Sequence, residues 1–332
     1  MMKKNISASL AVLFTALGLT STVLAAEPNL KYPVQPVKIV VPYTPGGISD
    51  LMGRSLASYL EKKWGQPVIV ENKPGASEAV GATYVAKSKP DGYTILLASD
   101  TAFVVNPFLK KNLNYNPETD FEPITRLAEG YMTFLVVRAD LGITTLKELL
   151  DKAQKNPGQV TYGSEAVGSP GEFRMRILGG MTGGYKMNHI PYNGMGPIVS
   201  DMLGRRVDSA WLPTHLAKQQ IEAKTMVPLA TNGNKRNWIF PEVPTLSDLG
   251  YANAGLTFKI MLAAPAGTPK NIVNQIANDI REIVKNPVFD EKHIHTNGYM
   301  AIADTPEQFR DYLKSARPFL QKVIKDAGFE PQ

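Results

Sequence analysis

Hydrophobic residues follow two periodicities along this chain, which predicts alternating strands and helices. A continuous β-branched run over 37–43 precedes an amphipathic segment over 49–64, whose apolar positions recur about every 3.6 residues. Strand and helix patterns then alternate at 67–72, 79–88 and 94–99. Because strands that alternate with helices usually pair in parallel, this part of the chain predicts βαβ units.

The alternation starts again after residue 127, which indicates a second lobe on the usual scale of domains. The C-terminal helices over 271–285 and 306–327 are expected to complete the first lobe. We predict an α/β protein of two lobes, each a mainly parallel sheet flanked by helices, with a ligand cleft between them. Lobe 1 is predicted to comprise 27–125 and 232–332, lobe 2 to comprise 126–231, and a hinge to lie near 122–128 and 228–234. In lobe 2 the pattern predicts strands over 132–138, 160–164, 186–192, 207–212 and 226–232, and helices over 144–156, 170–181 and 195–203.

The first 26 residues have the pattern of a secretory signal peptide. A basic start, MMKKN, precedes an apolar stretch, and VLAAE offers small residues for cleavage after Ala25 or Ala26. A membrane anchor is the alternative, but Ser and Thr dilute an apolar run that is short for a transmembrane helix. The sequence has no Cys, which excludes disulfides, thiolate metal sites, a catalytic Cys and a lipid-bearing Cys. We expect a periplasmic protein, exported by a cleaved signal peptide and not lipid-anchored.

The net charge of the chain and its distribution indicate which kinds of partner it can bind. The net charge of +6 is spread over short pairs such as Lys62 and Lys63, without the clustered basic face that nucleic-acid binding needs. Mild positive charge is compatible with a small acidic ligand. With 332 residues, 43% of them hydrophobic, the chain can bury a core of its own. We expect a monomer that does not bind nucleic acid.

Four loops that follow predicted strands are rich in Gly, Ser, Thr and Asp. Because the carboxyl ends of parallel strands form the ligand crevice, these loops are expected to converge on one site. Gly46 and Gly47 let a ligand approach the backbone, and Ser49 or Asp50 can cap the helix behind them. Taken singly, each loop is also explained by ordinary turn chemistry. The loops are PYTPGGISD (42–50), ASDTAFVVNP (98–107), YGSEAVGSPGEF (162–173) and HIPYNGMGP (189–197).

The first of these loops lacks the motifs that phosphate ligands require. Neither Gly-x4-Gly-Lys-Ser/Thr nor Gly-x-Gly-x-x-Gly follows the first strand. A carboxylate needs only two or three N–H or hydroxyl donors. The loops therefore favour a small carboxylate ligand, and we expect no cofactor and no metal.

Catalytic interpretations have weaker support in the sequence. His293 and His295 can in principle chelate a metal from a strand, but no Cys or carboxylate motif accompanies them, which favours a surface pair. Ser99 or Ser164 with His189 would be the parts of a hydrolase triad, yet no Gly-x-Ser-x-Gly elbow is present. We therefore expect no enzyme activity.

Two further pairs of residues are open to alternative interpretations. Asp50 and Asp208 can face each other as paired acids, although helix capping and a turn at a strand end explain them as well. Tyr192 and Trp211 can line a ligand wall or belong to the core.

At the same loops the chain resembles the extracytoplasmic solute receptors of the tripartite tricarboxylate transporter family, the Bug receptors. The matching stretches are VVPYTPGGISDLMGRSLASYLEKKWGQPVIVENKPGAS, VAKSKPDGYTILLAS, VTYGSEAVGSP, HIPYNGMGPIVSDMLGRRVD and APAGTP, in family order over essentially the whole mature chain. The resemblance implies a type II-like periplasmic binding protein that closes over a small carboxylate. It also implies delivery to two integral membrane partners, driven by an ion gradient. The alternatives are a ligand-binding co-receptor for a membrane sensor kinase and, more distantly, a periplasmic serine hydrolase.

The resemblance also implies the ligand-binding residues. One ligand carboxylate would be held at the lobe 1 loops, partly through ordered water, and the other end of the ligand at the lobe 2 loops. In lobe 1 the set is Tyr43, Pro45, Gly46, Gly47, Asp50, Ser99, Asp100 and Thr101. In lobe 2 it is Ser164, Gly168, Ser169, Tyr192, Asn193 and Gly194, with Asp208 following.

Several positions depart from the family pattern. Glu165 and Ala166 replace a small residue or Pro followed by Gly, Glu172 stands where a His is frequent, GASEA lacks the usual Gly-Gly, and Arg205 and Arg206 replace Gly-Gln. Because Glu165 would repel a dianion unless it points to solvent, a ligand with a neutral or cationic distal end stays open. Selectivity is expected from Glu165, Ser169, Tyr192 and Trp211.

Overall fold

The computed structural model describes residues 32–130, 133–165, 169–184, 186–192, 194–233, 235–254, 257–326 and 330. The predicted signal peptide over 1–26 and the predicted ligand residues Gly168 and Asn193 lie outside the described residues. Within the described ranges, no helix combines the length and the apolar character needed to cross a membrane.

The described strands belong to two sheets, which we call sheet A and sheet B. They are β1 (Val37–Val41), β2 (Val68–Asn72), β3 (Thr94–Ser99), β4 (Phe121–Gly130), β5 (Thr133–Arg138), β6 (Thr161–Ser164), β7 (Asn188–Pro191), β8 (Ser209–Pro213), β9 (Met226–Thr231), β10 (Phe258–Pro265) and β11 (Tyr299–Ala301). Sheet A has the order β11-β4-β10-β3-β1-β2, and sheet B has the order β7-β6-β8-β5-β9.

Most strands in each sheet run in one direction. In sheet A, β1 pairs in parallel with β2 and β3, whereas β10 lies antiparallel between β3 and β4, and β11 lies antiparallel to β4. In sheet B, β6 pairs in parallel with β7 and β8, and β5 lies antiparallel between β8 and β9. Four of six strands and four of five therefore share a direction, and the predicted two-lobed α/β fold is confirmed.

The helices connect these strands, and local sequence signals fix several of their ends. Gly65 adopts the left-handed conformation just after the first helix, and Thr145 and Glu148 form a capping box at the start of the fourth. The helices are α1 (Ile48–Trp64), α2 (Ala79–Ala86), α3 (Asn106–Leu109), α4 (Leu146–Lys155), α5 (Pro170–Met181), α6 (Met195–Leu203), α7 (Thr214–Glu222), α8 (Lys270–Val284), α9 (Pro287–Phe289) and α10 (Pro306–Asp326).

Two helical segments differ from the sequence prediction. The segment after β3, predicted as a loop over 98–107, forms a π-helical turn at Thr101–Val105 that continues into α3. Four of the five residues of that turn are buried, so its sequence shows no helical period of buried and exposed positions. The pattern predicts no helix at α7, since α7 buries only Thr214 and Ala217 and has no apolar stripe.

The largest fully buried side chains lie on both sheets. Ile39 and Leu96 of sheet A, and Phe134 and Trp211 of sheet B, are at most 1% exposed. Burying a side chain of this size contributes about 1.5–3 kcal/mol. A strand that is buried on both faces is apolar at nearly every position, which is why the run TILLAS of β3 predicts a strand without alternation.

The chain passes from sheet A to sheet B between Gly130 and Thr133, later than the predicted hinge segment at 122–128. β4 pairs with β10 up to Gly130, and β5 pairs with β8 from Thr133. β4 is ten residues long, which carries the chain beyond 128 before it leaves sheet A. The buried Asn232 lies beside this crossing, where it accepts from the Thr133 N–H at 2.8 Å and donates to the Gly130 carbonyl at 3.2 Å. Asn232 thus links the two ends of the crossing, and a hinge motion stays a prediction.

Candidate functional site

The loop after β1 is held in place by Asp50. Asp50 Oδ2 accepts a hydrogen bond from the Gly46 N–H at 2.9 Å, and Oδ1 accepts one from Asn72 Nδ2 at 2.9 Å. The Arg54 guanidinium pairs with the same carboxylate at 2.9 Å. Burial alone would raise the pKa of Asp50, but the hydrogen bonds from Arg54, Gly46 and Asn72 hold it below its ordinary value. Asp50, 2% exposed, therefore braces the loop from within the protein.

The loop presents its backbone to solvent. Residues 44–47 are exposed, and they include the predicted ligand residues Pro45, Gly46 and Gly47. Gly46 has a φ of +90°, which favours glycine, and Gly47 is the N-cap of α1 and has no side chain with which to cap the helix. The first amides of a helix have no acceptor within it and lie at the positive end of its dipole. The exposed backbone at the head of α1 is therefore suited to an anion.

Tyr43 and Ser99, both predicted ligand residues, donate to a carboxylate of the protein itself. Both hydroxyls donate to Oε1 of Glu78, and the Ser99 N–H donates to Oε2 at 2.9 Å. The two hydroxyl oxygens are 3.1 Å apart. Glu78 is 2% exposed, and burial raises its pKa. The structure therefore brings Tyr43 and Ser99 together, as predicted for ligand residues, but their hydroxyls donate to Glu78.

Sequence reasoning assigned no role to Glu78. Glu78 lies in the segment GASEA, where Ala76, Ser77 and Glu78 have φ values of 47°, 53° and 73°. Three consecutive left-handed residues are unusual without glycine. The sequence signal for this left-handed segment is that GASEA lacks the Gly-Gly of the family pattern.

Asp100 and Thr101 border a cavity of about 410 Å³ between the π-helical turn, α5, β10 and α10. Asp100 Oδ1 accepts from the Tyr312 hydroxyl at 2.6 Å, and Oδ2 accepts from the Lys259 N–H at 3.1 Å. Burial raises the pKa of Asp100, and the Lys259 charge opposes that rise. Phe173 of α5 forms another part of the wall, so the cavity is bordered from both sheets.

The loop after β6 contains buried polar groups. Ser169 is the N-cap of α5, and its buried hydroxyl does not cap the helix. This hydroxyl and the N–H groups of Glu165 and Gly171 lower the pKa of Glu165 by hydrogen bonding, against the rise that burial causes. Ser164 Oγ lies 2.7 Å from His189 Nε2.

Glu165 lies close to charged and polar groups of both sheets. Burial raises the pKa of Tyr43 well above its ordinary value, and the charges of Glu78 and Glu165 add to this rise. Burial also raises the pKa of Glu165, which the attraction of Arg174 opposes. A Cβ added at Gly171 would lie 2.8 Å from Glu165 Oε2, so this oxygen packs against the first turn of α5. Glu165 Oε2 is therefore turned away from solvent.

The loop after β7 presents the start of α6. Gly194 is the N-cap of α6 with a φ of +116°, and it has no side chain with which to cap the helix. The neighbouring Tyr192 donates its hydroxyl hydrogen to Asp201 Oδ2 at 2.7 Å. Tyr192 is thus oriented by α6 itself.

Asp208 lies apart from these loops. It accepts hydrogen bonds from Arg138 Nη2 and from the Thr161 N–H, both at 2.9 Å. Because β6 and β8 are parallel, this position is at the opposite end of the sheet from Ser164. Asp50 and Asp208 thus bind different residues of the protein, so the interpretation of the two as paired acids is wrong.

The remaining candidates have partners within the protein. Trp211 is 1% exposed, and the Arg174 guanidinium lies 5.4 Å from the centre of its ring. His293 and His295 lie in helical turns rather than on a strand. His295 stacks on Trp238 with ring centres 4.0 Å apart, and no cluster able to hold a metal occurs among the described residues.

We expect Glu165→Gln to become more stable relative to the wild type as the pH rises. Burial raises the folded-state pKa of Glu165 above its ordinary value of 4.5. The folded state therefore keeps this proton to a higher pH than the unfolded state, and its stability falls as the pH rises between the two pKa values. Gln has no proton to lose. Urea unfolding between about pH 4 and pH 8 measures the difference, and a difference that does not change with pH would contradict the prediction.

Comparison with known proteins covers nearly the whole described chain. Residues 52–329 match the family model described as tripartite tricarboxylate transporter family receptor. A UPF0065 protein of Bordetella pertussis is 34% identical over 301 residues, which cover 91% of this chain and 92% of that protein. The structure of the periplasmic binding protein BugD matches with a TM-score of 0.81 and 33% identity, over 91% of this chain and all of that one. An R. palustris structure with adipate matches with a TM-score of 0.83 and 28% identity, over 91% and 100% of the two chains.

The range matched by the family model includes three of the four loops and strands of both sheets. The resemblance predicted from the loops is confirmed, and this chain belongs to the receptor family of the tripartite tricarboxylate transporters.

Proposed function

We propose that this protein is a periplasmic solute receptor that binds a small carboxylate between its two lobes and delivers it to the two integral membrane subunits of a tripartite tricarboxylate-type transporter. The observation that carries the proposal is the exposed backbone at the head of α1, held in place by Asp50 and Asn72. A relative that is 28% identical was solved with adipate, a carboxylate. The signal peptide predicted over 1–26 fits a periplasmic location.

A carboxylate at the head of α1 would be bound by backbone amides and by the helix dipole. Each charge-assisted hydrogen bond contributes about 1.5–3 kcal/mol, and a partly buried helix terminus adds up to about 2 kcal/mol. Because the loop is already braced, binding needs little ordering. About four such bonds approach the roughly 8 kcal/mol of a micromolar ligand. One loop supplies fewer than that, so groups of sheet B must contribute.

A ligand that contacts both lobes favours the closed form. The groups of sheet B that can meet it are the hydroxyl of Ser169 and the uncapped start of α6 at Gly194. Closure follows from the difference between the ligand's affinities for the closed and open forms. The receptor then presents a ligand-dependent surface to its membrane partners.

One contact favours a serine hydrolase, namely the 2.7 Å distance between Ser164 Oγ and His189 Nε2. Ser164 is only 1% exposed, so a substrate carbonyl has no access to its hydroxyl. The third group of a triad would be Glu172, whose Oε1 lies 3.8 Å from His189 Nδ1, beyond hydrogen-bond distance. The pair is thus better explained as a buried hydrogen bond beneath α5.

Binding of a carboxylate panel tests the proposed function. The purified receptor is mixed with aliphatic mono-, di- and tricarboxylates, amino acids and aromatic acids, each paired with its neutral amide, and thermal unfolding is followed. At about a hundredfold excess over Kd, a true ligand adds about 2.7 kcal/mol to stability. We expect at least one acid to raise Tm and its amide to have no effect. Equal effects of acid and amide, or no response to any acid, would refute carboxylate binding.

A further inference from the structure

The buried carboxylate of Glu78 is bound by donors from two of the predicted ligand loops. The Tyr43 hydroxyl, in the loop after β1, and the Ser99 hydroxyl, at the end of β3, both donate to Oε1. The Ser99 N–H donates to Oε2 at 2.9 Å, and the Thr101 hydroxyl donates a further hydrogen bond to this carboxylate. A carboxylate needs only two or three such donors. These groups thus form a complete carboxylate-binding site, and Glu78 occupies it.

The backbone at Glu78 is held in a conformation that aims the side chain at these donors. Glu78 is the N-cap of α2, but its side chain does not cap the helix. It ends the run of three residues with positive φ values, and Asn106 Nδ2 donates to the Ser77 carbonyl within that run at 2.7 Å. Asn106 is itself buried. Strained backbone persists only where its surroundings determine it, and it is concentrated at functional sites.

The site holds a charge by means of neutral groups. Its donors are hydroxyls and a backbone amide. Burial raises the pKa of Glu78, and the hydrogen bonds from Ser99, Tyr43 and Thr101 oppose that rise. Buried charges are stable only when such bonds replace water. Because the donors belong to other parts of the chain, they would remain in place for a free carboxylate if the Glu78 side chain were removed.

We propose that Glu78 is a built-in anion, whose carboxylate permanently occupies a carboxylate-binding site formed by the loops after β1 and β3. This site is separate from the head of α1, where residues 44–47 are exposed, whereas Glu78 is buried. Glu78 is then a positioning residue that joins the two loops before any solute arrives. The inference goes beyond the proposed function and does not depend on it, because contacts within the protein define the site.

Chemical rescue tests the proposal. Glu78→Gly removes the atoms of a propionate ion, and glycine suits the φ of 73° at this position. We expect propionate to bind this variant with a Kd of about 1 mM or below, and at least about tenfold more tightly than its neutral amide. Propionate should also raise Tm. The Ser99 N–H should lose its protection from hydrogen exchange in the variant and regain it with propionate.

A second variant makes the test depend on the size of the anion. Glu78→Ala removes the atoms of an acetate ion, so it should bind acetate more tightly than propionate, whereas Glu78→Gly should prefer propionate. Glu78→Gln keeps the site filled and should bind neither. Glu118→Gly removes a carboxylate whose side chain is 64% exposed and should gain no anion binding. Each variant is also combined with Gly47→Phe, whose side chain covers the amides at the head of α1.

The dependence on anion size decides the outcome. If propionate binds Glu78→Gly no better than Glu118→Gly, or if Glu78→Gly and Glu78→Ala prefer the same anion, the proposal is overturned. If either variant unfolds, the matching anion should restore the fold during refolding, and failure with both variants also overturns the proposal. No solute of the receptor enters these measurements. A wild type that binds no acid of the carboxylate panel would therefore refute the proposed function and leave this proposal intact.

Discussion

Replacing Gly47 with Phe is expected to weaken the affinity for the ligand at least about a hundredfold without unfolding the receptor. Gly47 has a φ of −76°, which any residue adopts, and the atom nearest to an added Cβ is the Thr44 carbonyl oxygen at 3.9 Å. A side chain is therefore tolerated by the protein, but it occupies the space in front of the amides at the head of α1. The loss of about two charge-assisted hydrogen bonds corresponds to about 3 kcal/mol or more. Calorimetry with the best ligand of the panel measures it.

Two control variants separate this effect from general damage. Gly47→Ala adds only a methyl group in ordinary contact distance and should retain most of the affinity. Glu61→Phe places the same aromatic ring on an exposed position near the other end of α1 and should leave binding unchanged. Gly46 is unsuited to this test, because its φ of +90° would add backbone strain. Undiminished affinity in Gly47→Phe, with an unchanged thermal transition, would show that the ligand does not bind at this loop.

The positions of the loops could be predicted from the sequence because each is specified locally. β1 is a continuous β-branched run, Gly46 and Gly47 mark the turn, and Gly65 ends α1 in the left-handed conformation. Such signals lie within a few residues of the feature they determine. The alternation of strands and helices is also a local signal, and it predicts both sheets.

The roles of side chains in those loops could not be predicted in the same way. In the sequence, Asp50 and Ser99 are polar residues that follow a strand. At such a position the sequence does not distinguish a side chain that contacts the ligand from one that holds the loop in place. Their partners are distant along the chain: Asn72 lies 22 residues from Asp50, and Glu78 lies 21 residues from Ser99. Tertiary packing alone decides which of these groups meet. The predicted ligand contacts of Asp50, Tyr43 and Ser99 stay predictions that binding measurements must test.

Replacing Phe309 with Ala is expected to destabilise the receptor by about 3–5 kcal/mol. Phe309 lies on α10 and is fully buried, with its ring edge-on to Phe103 at 6.0 Å, and Phe103 in turn meets Phe121 at 5.5 Å. These rings join the last helix to the π-helical turn and to β4. Removing the Phe309 ring leaves a cavity that a close-packed core fills only in part. Since natural domains are stable by only about 5–15 kcal/mol, the loss is a large share of the total.

Phe319 provides the matched control on the same helix. Its side chain is 49% exposed and borders the cavity, so Phe319→Ala removes less buried surface and should cost less than about 1 kcal/mol. Urea unfolding of both variants gives the two free energies. Because Tyr312 of α10 also donates to Asp100, loosening this helix by Phe309→Ala should further weaken the wall of the cavity. Equal losses in the two variants would show that α10 is not anchored through the aromatic cluster, and the return of the C-terminal chain to lobe 1 would then need another source of stability.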